Sequence, residues 1–310
     1  MTEQNNSGRR DATRRGFLRS TGLTLAGLVG FSGVGSAATG EDERGPTTTE
    51  ATVIKRFRPD GDQYTVEKRT VSPAFKERFG GPTITYEPEP VPREFIPEEH
   101  TDPDKPFTVQ YRDEVVVGTL EEQQAAERET HETSRLSYLS HTQSYNGPKY
   151  VYESASGAED QDLYERTAPI NVAWGNSVNK DASELQSYMK NQGWEKHWTM
   201  PGSSSRYILY NGSARPQDEH IYKEIYYTRQ WHIRVYDVSV DSSVESIQVV
   251  GNAHRDPLDH NHIGNEPWEF NDARDETSSD WGSWGRQSEI VFMGGTQWET
   301  HDGNMDVIYS

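Results

Sequence analysis

Cysteine is absent from all 310 residues. That excludes disulfides, thiolate zinc sites, a cysteine nucleophile and a lipid anchor carried on cysteine. Lysine is scarce, 9 against 22 arginines. No apolar run long enough to cross a bilayer, which takes about 20 residues, follows residue 40. No basic stripe is available to neutralise phosphates, so nucleic acid is not an expected partner. Serine nucleophile elbows, phosphate-cradling glycine loops and dinucleotide fingerprints are missing as well.

What is abundant is acid. Asp and Glu number 50 against 31 Lys and Arg, a formal charge of -19. Such a surface opposes its own compaction at low salt, a penalty that molar salt removes by shortening the Debye length to about 3 Å. Acid excess with few lysines resembles the composition of secreted haloarchaeal proteins. The N-terminus agrees with export. Thr13-Arg14-Arg15-Gly16-Phe17-Leu18-Arg19 is a twin-arginine pattern, followed by a mildly apolar stretch from Leu23 to Val34 and the small residues Ser36-Ala37-Ala38, where cleavage is expected. Residues 1–38 hold five arginines against Glu3 and Asp11, so removing their net +3 takes the charge from -19 to about -22. The expected product works at the cell surface or outside the cell, with no membrane span after the signal segment 1–40. Cargo of this route folds before crossing.

Residues 41–144 read as a small N-terminal region. A polar, threonine-rich tail leads into two strands, Val53–Arg58 and Tyr64–Val71, around Pro59-Asp60-Gly61-Asp62. A helical turn is expected at Pro73–Phe79. Residues 82–106 carry seven prolines and are expected to be extended connection. A strand at Thr108–Val117 and a polar helix at Leu120–Leu136 follow. All eight tryptophans lie between Trp174 and Trp298, so residues 145–310 are expected to hold the main core. There the patterns predict a strand at Ile170–Trp174 and a helix from Asp181 to Gln192, capped by Asp181 with Glu184 three residues on. Strands are expected at Arg206–Tyr210, Ile221–Tyr227, Trp231–Val240 and Ser246–Asn252, then a helix near Glu269–Thr277 and a strand at Glu289–Met293. The fold class expected is α+β, a largely antiparallel sheet with a few segregated helices in the C-terminal half.

The densest polar feature is His254-Arg255-Asp256-Pro257-Leu258-Asp259-His260-Asn261-His262, three of the ten histidines within nine residues. It follows a predicted strand, and antiparallel pairing carries His232 of the preceding strand toward the same edge. Imidazoles and carboxylates at such an edge suit a divalent metal or acid–base chemistry near neutral pH, and equally a solvated loop whose histidines cap turns. Asp272 and Asp275 share a helix face and are expected to orient the imidazoles or to favour the helix dipole. Arg215 could hold an anionic group or pair with a carboxylate. Asp302-Gly303-Asn304-Met305-Asp306 starts like a calcium loop, but the chain reaches Ser310 without the glutamate such a loop requires. Trp281 and Trp284 could face a sugar or pack in the core. Asn211-Gly212-Ser213 is both a hairpin turn and a glycosylation sequon.

The order of Pro169-Ile170-Asn171-Val172, Gly193-Trp194, Arg215-Pro216-Gln217-Asp218, Lys223, His232-Ile233-Arg234-Val235, Val250-Gly251-Asn252-Ala253, Asp256, His262-Ile263 and Asp272-Ala273-Arg274-Asp275 resembles the C-terminal domain of LssY-type cell-envelope proteins, over roughly residues 165–280. The resemblance implies an envelope setting and a shared polar set of His232, Arg234, Asp256, His262, Asp272, Arg274 and Asp275, with His254 and His260 outside it. Two uses of that set are expected. A binding module would take a small polar ligand, an envelope component or a divalent metal on His232, Asp256, His262 and Asp272. A hydrolase, phosphoesterase-like, would use His232 or His262 as acid or base, Arg234 on an anion, and Asp275. A structural surface protein would need no site.

Overall fold

The computed structural model describes residues 45–93, 96, 100, 102, 105–137, 145–158, 161–196, 206–226, 229–255, 268–293 and 298–310. The backbone is mostly antiparallel sheet with four α-helices among the described residues, as the sequence leads one to expect.

β1 (Thr47–Asp60) and β2 (Gln63–Val71) form a hairpin. The expected N-terminal tail is thus already strand at Thr47. After α1 (Pro73–Phe79), β3 (Thr83–Tyr86) and β4 (Glu89–Pro92) both pair with β2. Among its described residues the proline-rich stretch contributes sheet as well as connection, in β3 and β4, and Ile84 is fully buried. Pro90 and Pro92 sit in β4, off the main strand order, where a missing N–H is tolerated. β5 (Phe107–Thr119) pairs along β1 and leads into α2 (Leu120–Ser137).

β6 (Tyr150–Ser156) and β7 (Asp162–Pro169) complete this sheet rather than opening a new one. β6 pairs with β3 and with β7, and β7 pairs with β5. The order β6–β3–β2–β1–β5–β7 therefore closes on itself, a six-stranded barrel. The division expected at residue 145 runs through this barrel. Its inward residues stack in three layers. Ala51, Ile84, Val115, Val117, Ala155 and Leu163 fill one end beneath Phe75 and Phe79 of α1. Phe57, Tyr64, Val66 and Ile96 fill the other, with Phe107 and Val109 against them.

Between the apolar layers lies an ionic one. Lys68 Nζ donates to Glu153 at 2.7 Å and Glu165 at 3.1 Å, and Tyr86 donates to Glu165. Arg206 bonds Glu89 at 3.1 Å and lies 3.5 Å from Glu153. Burial alone would raise the Glu153 pKa, but Arg206 and Lys68 outweigh it and hold the carboxyl down to about 2. Lys55 is lowered to about 8, by burial first and Lys68 second.

A seven-stranded sheet forms the rest, in the order β15–β16–β8–β14–β13–β12–β9. Its members are β8 (Val172–Gly175), β9 (Glu195–Lys196), β12 (Glu219–Tyr226), β13 (Arg229–Val240), β14 (Ile247–Arg255), β15 (Gln287–Phe292) and β16 (Asn304–Tyr309). The last was unexpected and pairs parallel to β8. Val172, Trp174, Ile221, Ile233, Val235 and Ala253 face α3 (Ala182–Lys190) and α4 (Phe270–Ser283). Asp181 and Glu184 form the expected capping box of α3. Trp281 is fully buried in this layer, so it is core, with Trp284 packed on it. Gly251 in β14 has no room for a Cβ, which would come within 2.9 Å of Val172.

The opposite face, with Ala173, Tyr236, Val250, Met305 and Val307, packs on Val151, Ala168, Ile170 and Ile208 from the barrel side. The hairpin of β10 (Arg206–Tyr210) and β11 (Ser213–Pro216) joins the barrel to this sheet. Tyr210 bonds Ser239 and Arg215 donates to the Asp237 carbonyl at 2.7 Å. Arg215 is therefore held as a strut.

Candidate functional site

Strand alternation decides which polar groups meet. In β13, Trp231, Ile233 and Val235 face the helices, so His232 and Arg234 face the barrel side. In β14, Val249 and Ala253 face the helices, so Asn252 and His254 face the barrel side. Register places His232 opposite His254, Arg234 opposite Asn252, and His220 of β12 opposite Arg234.

The outcome is a row of imidazoles across three adjacent strands. His220 and His232 have ring centroids 5.2 Å apart, and His232 and His254 are 5.3 Å apart with planes within 14°. Trp268 closes the row edge-on against His254 at 4.9 Å, and the Tyr222 ring lies 6.3 Å from His232. His232 and His254 are 3% and 2% exposed. Beside them Arg234 donates to Asn252 Oδ1 at 3.1 Å, and Asn252 donates on to the Pro169 carbonyl at 2.8 Å. Burial raises the neighbouring Tyr236 phenol, with Arg234 opposing. The row lies at strand ends: His232 is the fourth residue of β13 and His254 the penultimate residue of β14.

The expected pairing of His232 with the edge at His254 is therefore present, together with Arg234. The wider set is not assembled. Arg255 faces the helix side, against Trp231, and there pairs with Glu269 and, at 3.2 Å, with Asp272. Asp272 thus stands across the sheet from His232, contrary to a metal set containing both. Arg274 is 5% exposed and bonds Asp275 at 2.9 Å and Asp302 at 2.7 Å, with Asp306 at 3.6 Å. Burial disfavours its charge, but Asp302 and Asp275 more than restore it. Asp275, Asp302 and Asp306 are therefore partners of Arg274, which ties α4 to β16. Asp256, His260 and His262 lie outside the described residues. Among the described residues no group of three His, Asp or Glu is arranged to hold a metal ion.

Sequence reasoning missed His220. Its signal was the period-two pattern His220, Tyr222 in a strand that hairpins onto His232. A shallow hollow of about 460 Å³ lined by Lys190, Gly193, Trp194 and Glu195 lies on the helix side, away from the row. Trp194 is already bonded to Asp280 at 2.9 Å.

Compared with protein families, curated proteins and solved structures, the chain matches none.

Proposed function

We propose that this chain is an exported, salt-adapted binding module of the cell envelope or its surroundings, and that a small anionic ligand is held at the end of the seven-stranded sheet by His220, His232, His254 and Arg234. The observation that carries the reading is the imidazole row itself. Two stacked rings with a third tilted against them, beside the Arg234 guanidinium anchored by Asn252, set several nitrogen donors and one fixed cation on an otherwise acidic chain. Polar groups on rigid strands give a ligand fixed orientation. The export half rests on the twin-arginine segment and on the surface charge. The likeness to LssY-type domains supports the envelope setting through its motif order, which includes His232, Arg234 and Asn252.

A binding role is preferred to the hydrolase, because Asp272 and Asp275 are held in ion pairs away from His232. Histidine-selective NMR in molar potassium chloride tests the locus. Adding inorganic phosphate should shift the ring signals of His220, His232 and His254 together, with His301 unmoved. Uniform small shifts at every histidine would sink the reading.

A further inference from the structure

We propose that Asn211 is an N-glycosylation site, taking an oligosaccharide from a lipid-linked sugar phosphate. The inference rests on the export part of the proposed function. Only one other Asn-x-Ser/Thr sequence exists, Asn5-Asn6-Ser7, and it lies in the signal segment. An exported chain freed of that segment therefore carries a single acceptor.

The local structure presents it. β10 and β11 are joined by a two-residue turn, with Tyr210 opposite Ser213. Asn211 has φ 51 and Gly212 φ 78, the left-handed pair that Asn-Gly favours in tight hairpins. The turn alone needs only those two residues. Ser213, which completes the sequon, begins an edge strand where the turn makes no demand on its identity. Asn211, Gly212 and Ser213 are all exposed, and nothing stands within 4 Å of where a Gly212 Cβ would be. The Ser213 hydroxyl donates to the Tyr210 carbonyl, at 3.1 Å on the exposed side. Below the tip the hairpin is fixed by Tyr210 on Ser239 and Arg215 on Asp237. A chain that crosses the membrane folded must offer its acceptor on a finished surface, and this tip does.

In the transfer, the Asn211 carboxamide nitrogen forms a bond to the anomeric carbon of the sugar. The bond from that carbon to the phosphate oxygen breaks, the lipid phosphate leaves, and the amide nitrogen loses one proton. A glycan here covers the end of β11, an edge strand of its sheet. Exposed edges invite pairing between molecules, and molar salt screens the charge repulsion that would otherwise keep acidic copies apart.

The test is mass spectrometry on the full chain expressed in its own source organism, from both cells and medium. Trypsin should release Tyr207–Lys223, since Arg215 precedes proline. The expected result is a sugar mass on this peptide, lost in Ser213→Ala, which keeps the Asn-Gly turn. A peptide found bare or merely deamidated in both fractions overturns the site. Export is read separately, from the presence of the protein in the medium and the loss of residues 1–38. A secreted chain with bare Asn211 refutes the glycan and leaves export standing. A retained, unprocessed chain with bare Asn211 refutes both.

Discussion

His232 and His254 face each other across β13 and β14, stacked 5.3 Å apart within 14° of parallel. Each is buried, and Trp268 packs edge-on against the outer ring. His254 is thus wedged between two rings. His254→Ala should lower stability by about 2–5 kcal/mol, the range for truncating a large buried side chain to alanine, while His254→Phe should recover most of it. Denaturant unfolding in molar salt measures both. An alanine variant as stable as the parent would mean that the row does not pack as described.

Lys68 is the centre of the ionic layer inside the barrel, bonded to Glu153 and Glu165. Removing one member of a buried ionic set leaves its partners charged and unmatched, typically at a cost of about 3–5 kcal/mol. Lys68→Met should be destabilised by that order. Pairing it with Glu165→Gln should restore a good part, because one of the stranded carboxylates is gone. Additive losses in the double variant would show that the two groups are not coupled.

How much of this was open to sequence reading depended on distance along the chain. The α3 cap was legible because Asp181 and Glu184 are three residues apart and the box is local. The pairing of His232 with the His254 edge was legible from consecutive antiparallel strands. The barrel was not. Its β6 and β7 carry Glu153 and Glu165 on their inward faces, which breaks the apolar alternation that marks a strand, and their partner Lys68 lies 85 and 97 residues away. β4 was hidden by its prolines, and β16 by Asp302 and Asp306, whose partner Arg274 is on another element. Arg274 and Asp275 read as functional for the same reason. Sequence shows a cluster of charge but not the partners that neutralise it.

Glu127 gives a pH dependence with a defined sign. Burial lifts its carboxyl to about 7, opposed by the hydrogen bond from Tyr152 at 2.8 Å. The unfolded carboxyl ionises near its ordinary value of 4.5. Between 4.5 and 7 the folded state holds the proton that the unfolded state releases, so stability falls as pH rises through that window. The full difference is about 3 kcal/mol. Glu127→Gln should remove this slope and stabilise the protein above neutral pH. Urea melts at a series of pH values read the effect, and an unchanged slope would contradict it.

His301 acts at the acid end. Burial holds its imidazole down to about 4, with the Asn304 carbonyl accepting its Nε2 proton at 3.2 Å. The unfolded imidazole protonates near 6.5. As pH falls from 6.5 to 4 the unfolded state gains a proton that the folded state refuses, so stability drops, by about 3 kcal/mol at most. His301→Gln should flatten the decline in that range. Equal acid sensitivity in both proteins would place the titrating group elsewhere.

In the proposed function the imidazole row and Arg234 together take an anion. Calorimetric titration of the whole chain with inorganic phosphate in molar potassium chloride tests it most directly. The expected result is saturable one-to-one binding, weakened about tenfold or more, or roughly 1.4 kcal/mol and upward, by His232→Gln and by Arg234→Gln, with Asp275→Asn binding like the parent. Absence of binding, or binding that both substitutions leave unchanged, would contradict it.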